Sequence, residues 1–179
     1  MIEVVLVAAI AENGVIGRAG GLPWRIKSEM QRFRAMTWGK PVVVGRKTYQ
    51  SFAKRPLPGR TNVIVSRSGD FAAPGAIVAA TLATALEVAR GDALRRAGAA
   101  IMVLGGAEIY LQAMPLADRL EITHIRSQPA GDTMFPTIDP AVWRETARTV
   151  HAPEVGEDAG YDAVTYERIR PATPVRARP

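Results

Sequence analysis

Glu29 stands out because its neighbours argue against a carboxylate at that position. In a helix following Pro23, Glu29 and Phe33 project in nearly the same direction. Met30 and Met36 flank them, and Arg32 and Arg34 fall to either side. A first-turn acid often does no more than complement the helix dipole. An acid on a buried face is different, because a desolvated carboxylate costs several kcal/mol unless a charged or hydrogen-bonding group meets it. No adjacent basic residue is aimed at Glu29, so a ligand presenting hydrogen-bond donors is the expected partner. Ser28 with Gln31 three residues later fits a capping box, which would start the helix near Ser28.

A second chemistry is anion binding. Gly45-Arg46-Lys47-Thr48 and Ser66-Arg67 each end an apolar run with hydroxyl and positive charge. Each alone is more often a solvated loop, but two such ends can bind one phosphate. In Leu104-Gly105-Gly106-Ala107-Glu108 a double glycine joins an apolar run to a helical one, which lets phosphate approach backbone N–H groups. That signal is weak by itself and is not the G-x-G-x-x-G dinucleotide fingerprint. The stretch 11–21, with glycines at 14, 17, 20 and 21, suits a mobile lid, a close backbone approach to a ligand, or a plain flexible loop. Its place after the first apolar run favours a site.

These residues need elements to hold them. Residues 2–10 form a nearly continuous apolar run, as in a strand buried on both faces, and 41–45, 61–66, 76–79 and 100–104 read the same way. Helical patterns lie between them at 28–36, 47–52, 81–96 and 107–114, the third open to interruption at Gly91-Asp92. Such alternation predicts an α/β fold around a central, mostly parallel twisted sheet of about eight strands with flanking helices. Residues 118–126, 143–151 and 161–169 read as strands with no helix between the last two. Those two should form an antiparallel C-terminal pair, with 152–160 as their loop. One domain spanning 1–170 is expected, followed by a proline-rich tail at 171–179 expected to be disordered.

Composition removes several alternatives. The chain has 179 residues, 47% of them hydrophobic and 22% charged, which is ordinary for a soluble domain. No apolar run approaches the ~20 residues that span a membrane. No basic residues precede the first apolar run as they would in a secretory signal, so a cytoplasmic location is expected. Without cysteine there is no thiolate chemistry, and with only two histidines no zinc site is expected. The net charge of +6 is compatible with a polyanionic partner, but no basic run is interleaved with aromatics as in nucleic-acid-binding modules. A small phosphorylated ligand accounts for the charge equally well.

The ordered set of motifs resembles the dihydrofolate reductase family from about residue 2 to 169. It comprises Val15-Ile16-Gly17, Leu22-Pro23-Trp24, Glu29 with Phe33, Gly45-Arg46-Lys47-Thr48, and the run from Arg55 to Arg60. It continues with Leu104-Gly105-Gly106 and Tyr110, Ile122-Thr123-His124-Ile125, and Gly131-Asp132-Thr133 before Phe135-Pro136. Each marker alone is weak; the set in order is specific.

The resemblance implies reduction of 7,8-dihydrofolate with NADPH, and antifolate inhibitors as ligands. It implies that Glu29 grips the pterin N3 and 2-amino group, that Thr123 hydrogen-bonds the same carboxylate, and that Trp24, Leu22 and Tyr110 belong to the reaction site. Val7 and Ala8 would line the pterin, while Met30, Phe33 and Phe52 would pack on the folate. Arg60, aided by Arg55, would bind the carboxylate of its glutamate tail. Arg46, Ser66 and Arg67 would hold the 2′-phosphate of NADPH, with Gly45, Lys47 and Thr48 towards the pyrophosphate. Ala9, Ile16, Gly17, and Leu104 through Gly105, Gly106, Ala107, Glu108 and Ile109 to Tyr110 would complete the cofactor groove. The Gly105-Gly106 peptide is expected to be cis, and Asp132 to hold the 11–21 loop closed. Glu29 stands where many bacterial members carry aspartate, which bears on antifolate sensitivity. A monomer is expected, with neither nucleic acid nor membrane as partner. Two rivals stay open: a riboflavin-pathway reductase of the same fold, and a basic nucleic-acid-binding module.

Overall fold

The computed structural model describes residues 1–169. The tail proposed at 171–179 lies outside the described residues.

The apolar run at the start becomes β1 (Glu3–Ala11). It has two buried faces: Val4, Leu6, Ala8 and Ile10 enter one core cluster, and Val5 and Val7 enter another. A strand apolar on both sides belongs in the interior of a sheet. β1 accordingly lies between β6 (Ala100–Val103) and β7 (Arg119–Ile125), parallel to both. Beyond β6 follow β3 (Pro41–Gly45), β4 (Thr61–Val65) and β5 (Ile77–Ala79), all parallel. Beyond β7 come β10 (Tyr161–Arg168) and β9 (Trp143–His151), giving the eight-stranded order β5-β4-β3-β6-β1-β7-β10-β9. β10 runs antiparallel to both neighbours, as expected for a C-terminal pair joined without a helix.

Helices cover both faces. α3 (Leu82–Arg95) and α4 (Ala107–Ala113) pack on the cluster of Leu6, Ile101 and Leu120. α1 (Lys27–Thr37) and α2 (Arg46–Ser51) bring Phe33, Met36, Tyr49 and Phe52 to the opposite face. α3 runs unbroken through Gly91-Asp92, where an interruption was expected. Asp92 is buried but held by Arg95 at 2.6 Å and Arg96 at 2.9 Å, so its charge is answered within the helix. Thr81 caps α3 through its side chain, accepting from the Thr84 amide.

The capping box expected for α1 does not form. Ile26 occupies the N-cap without a side-chain bond. The Ser28 amide and hydroxyl donate instead to Glu157, at 2.6 and 3.1 Å, from the loop joining β9 to β10. An ionised carboxylate at a helix N-terminus outcompetes a neutral local acceptor.

Two short strands, invisible to periodicity, complete the architecture: β2 (Val15–Gly17) pairs with β8 (Thr133–Met134). They fasten the glycine-rich loop to the segment around Asp132. Gly131 is required there, because a Cβ on it would lie 2.2 Å from Val15. Among the described residues no helix is long and apolar enough to cross a membrane.

Candidate active site

Glu29 is buried, at 6% exposure, on the face of α1 turned towards the sheet. Desolvation pushes its carboxyl above the usual glutamate value, while Thr123 and Arg32 pull it back. Thr123, on β7, donates from Oγ1 to Glu29 Oε1 across a long 3.4 Å. Among the described residues no basic side chain forms an ion pair with this carboxylate, as the sequence indicated: Arg32, one turn along α1, donates from its guanidinium to Thr123 Oγ1 at 3.2 Å instead.

Around this acid the walls are apolar. Val7 is buried on the β1 face turned to α1, with Phe33 and Phe52 packing half-buried against the same cluster. Ala8, expected beside it, instead turns its side chain into the cluster on the opposite face, because successive residues of a strand alternate sides, and only its backbone is left towards the pocket. Trp24 is buried, and its Nε1 donor has no partner among the described residues. Leu22 and Met30 are half-exposed at the rim, so both remain accessible to a ligand. Tyr110, from α4, donates to the Val7 carbonyl at 2.6 Å, which anchors α4 to the middle of β1. Burial, and after it the Glu29 charge, push the Tyr110 phenol far above its ordinary pKa, so it stays protonated as that donor.

Beyond the C-terminal end of α1, Arg60 is partly buried. It donates through Nε to the Pro58 carbonyl and through Nη1 to Thr37 Oγ1, both at 2.9 Å. Burial, and then the neighbouring Arg34, lower its pKa. Among the described residues neither arginine has a carboxylate partner, so a ligand carboxylate would meet unanswered positive charge. Arg55 instead turns its guanidinium to the Gln50 carbonyl.

Beyond the Tyr110 side lies the turn expected to face a cofactor. The Gly105-Gly106 peptide is cis, as expected, and the Gly45 amide donates to the Gly105 carbonyl at 2.7 Å. Gly105 has φ +88° and a Cβ there would stand 2.5 Å from the Tyr110 ring, so only glycine serves. β3 and β4 are neighbours in register, Gly45 opposite Val65, so Arg46 and Ser66 leave the sheet side by side. Ser66 is buried, and Arg46 lies over the Phe71 ring at 5.7 Å. Arg67 is exposed, with a loose 3.8 Å contact to Glu108. Lys47 is exposed and Thr48 half-buried at the start of α2; Ala9, Ile16, Gly17 and Ala107 are half-buried, while Leu104 and Ile109 are buried.

Comparison with known proteins supplies the class of this arrangement. The family model described as dihydrofolate reductase matches residues 3–168. The chain belongs to the dihydrofolate reductase family. It is 44% identical over 149 residues to the dihydrofolate reductase of Neisseria meningitidis serogroup A, covering 83% of this chain and 88% of that protein. With the type 3 dihydrofolate reductase of Salmonella typhimurium it shares 41% over 165 residues, covering 92% and 98%. Its backbone matches that of Enterococcus faecalis dihydrofolate reductase complexed with NADP(H) and RAB-propyl at a TM-score of 0.86. That match has 29% identity and covers 94% of this chain and 97% of the other.

Asp132 accepts from the Ala19 amide at 2.9 Å, and its own amide donates to the Gly17 carbonyl at 3.1 Å. That places it across the base of the 11–21 loop. Sequence reasoning missed Glu121, which follows the same face of β7 two residues before Thr123 and contacts Arg32 at 3.5 Å. The signal was present: a strand's period of two puts residues 121 and 123 on one face, and a helix's i,i+3 spacing puts Glu29 beside Arg32.

Proposed function

We propose that this chain reduces 7,8-dihydrofolate to 5,6,7,8-tetrahydrofolate with NADPH, as a cytoplasmic monomer. The observation that carries the reading is Glu29: a carboxylate buried among apolar side chains, bonded on one oxygen to Thr123 and lacking an ion pair within 4 Å among the described residues. Two coplanar acceptor oxygens match the pterin N3–H and 2-amino hydrogens. Family membership supports the same assignment.

The region beside Gly105-Gly106 has residues that fit NADPH. Arg46, Ser66 and Arg67 bring two cations and a hydroxyl to adjoining strand ends, a donor set suited to a dianionic phosphate, with Lys47 and Thr48 beside them. When bound, NADPH supplies the hydride that reaches C6 of the pterin. The protein's part is alignment and exclusion of water. Val7 and Phe33, with the β1 backbone at Ala8, set the plane of the pterin, Glu29 fixes its edge, and Arg60 holds the far carboxylate. N5 takes its proton from solvent entering past half-exposed Leu22 beside Trp24, with the Glu29 charge favouring the protonated pterin.

The test is optical. NADPH oxidation should proceed with dihydrofolate and not with a riboflavin-pathway pyrimidine precursor. Turnover of the precursor with none of dihydrofolate would overturn the reading.

A further inference from the structure

Arg32 stands at i+3 from Glu29, a spacing at which an arginine commonly pairs with the acid. Here it does not: among the described residues the two approach no closer than 4 Å. Its guanidinium reaches past Glu29 to β7, donating from Nη1 to Thr123 Oγ1 at 3.2 Å and meeting Glu121 Oε2 from Nη2 at 3.5 Å. Glu121 is itself fixed. Its Oε2 accepts from Thr165 Oγ1 on β10 at 3.0 Å, and its Oε1 faces Arg119 at 3.2 Å, which in turn reaches Glu3 at 3.1 Å. A polar chain therefore runs from the pocket carboxylate across β7 to the surface.

The direction of each bond is fixed by donor inventory. A threonine hydroxyl carries one hydrogen, and a guanidinium can only donate. Arg32 takes the acceptor side of Thr123 Oγ1, so that hydroxyl's single hydrogen is left for Glu29 Oε1, its one acceptor among the described residues.

We propose that Arg32 is a positioning residue for Glu29: it orients the Thr123 hydroxyl as a donor to the carboxylate, while Glu121 keeps Arg32 from closing onto Glu29 and masking it. Without Glu121 the guanidinium is free to form the i,i+3 ion pair and compete with the pterin's donors. Without Arg32 the threonine loses its fixed orientation and the carboxylate its nearby positive charge. The charged or titratable groups around Glu29 are Arg32 on α1, Glu121 and Arg119 on β7, and Tyr110 from α4. Glu157 lies on the adjacent Ser28 amide. Of these surrounding groups only Arg32 and Glu121 change in the test. The inference rests on reading Glu29 as the group that grips the substrate.

The experiment titrates the Glu29 carboxyl stretch by infrared difference spectroscopy in the free protein, with Glu29→Gln as the blank that assigns the band. Dihydrofolate kinetics are measured alongside. Arg32→Met should move the midpoint up and Glu121→Gln should move it down, each by about half a pH unit or more. Arg32→Lys, which keeps the charge, should return the midpoint most of the way to wild type. Glu121→Gln should raise KM for dihydrofolate several-fold with little change in kcat. Unmoved midpoints, or shifts of the same sign in Arg32→Met and Glu121→Gln, overturn the proposal. If Arg32→Met does not fold, the near-isosteric Glu121→Gln decides by its sign. Failure of wild type to reduce dihydrofolate would sink the functional reading instead, while the free-protein titration would still judge the network.

Discussion

The acid face and the cationic rim solve opposite problems. Glu29 is 6% exposed, between α1 and the middle of the sheet, whereas the Arg67 side chain is 87% exposed beyond the end of β4. Water is withheld from the first, so its charge costs energy and its partners must be exact in direction. The second stays hydrated, keeps its charge at little cost, and attracts anions in a way that salt screens. On the proposed reading, burial makes the substrate end selective and sensitive to pH, while exposure leaves the cofactor end governed by charge.

The sharpest way to break this contrast is Glu29→Gln. Dihydrofolate kcat/KM at pH 7 should fall about a hundredfold, roughly 2.7 kcal/mol, while NADPH binding, measured by fluorescence titration, is preserved. The same variant should unfold at a higher temperature than wild type at pH 7. The folded pKa of Glu29 is raised, so its burial costs stability only where the unfolded chain would be ionised. That cost is absent below the ordinary glutamate value and grows as pH rises from there through the folded pKa. The variant's advantage in thermal melts should grow over the same window. A variant no more stable than wild type at neutral pH would mean that the buried charge is better answered than its surroundings indicate.

Next in size is the rim. Replacing Arg46 and Arg67 together by Ala should lower kcat/KM for NADPH about tenfold, roughly 1.4 kcal/mol, and leave NADH nearly unchanged. The gap should narrow with added salt. Equal losses with both cofactors would show that these arginines do not read the 2′-phosphate. Arg60→Lys lies between the two regimes, because Arg60 is partly buried. An ammonium cannot reproduce the planar fork, so KM for dihydrofolate should rise about fivefold, near 1 kcal/mol. The penalty should vanish with a pterin lacking the glutamate; persistence there would make Arg60 structural.

The smallest effect belongs to Asp132, which is exposed yet held. The Ala19 amide and then the Thr133 hydroxyl keep its carboxyl below the usual range. A depressed pKa means that the tether is intact at neutral pH and is lost only as pH falls through that lowered value. Asp132→Asn should speed hydrogen exchange at the Ala19 amide while changing turnover about twofold or less. An unchanged exchange rate would show that β2 and β8 alone hold the loop.

What the sequence revealed follows the same division. The β1 run, the cationic ends of β3 and β4, and the double glycine were legible because each is local: a few adjacent residues carry the signal. Glu29 was legible because a charge interrupts an apolar period. The acceptor for Ser28 was not, since Glu157 lies 129 positions away and belongs to a loop without pattern. β2 and β8 are too short to show a period. Arg32 was seen on its helix, but its contact with Glu121 was not, because only the placement of α1 against β7 makes those residues neighbours.

The sheet order carries a final consequence for biosynthesis. β1 leaves the ribosome well before its two sheet neighbours, β6 and β7, and the Val4 amide bonds Asp118 across 114 positions. A nascent chain therefore carries a stretch of valine, leucine and isoleucine without its native cover until most of the protein has been translated. Such non-local pairing makes for slow folding and a long exposure to aggregation. The strand that ends at the centre of the finished enzyme is the one most in need of protection while the enzyme is being made.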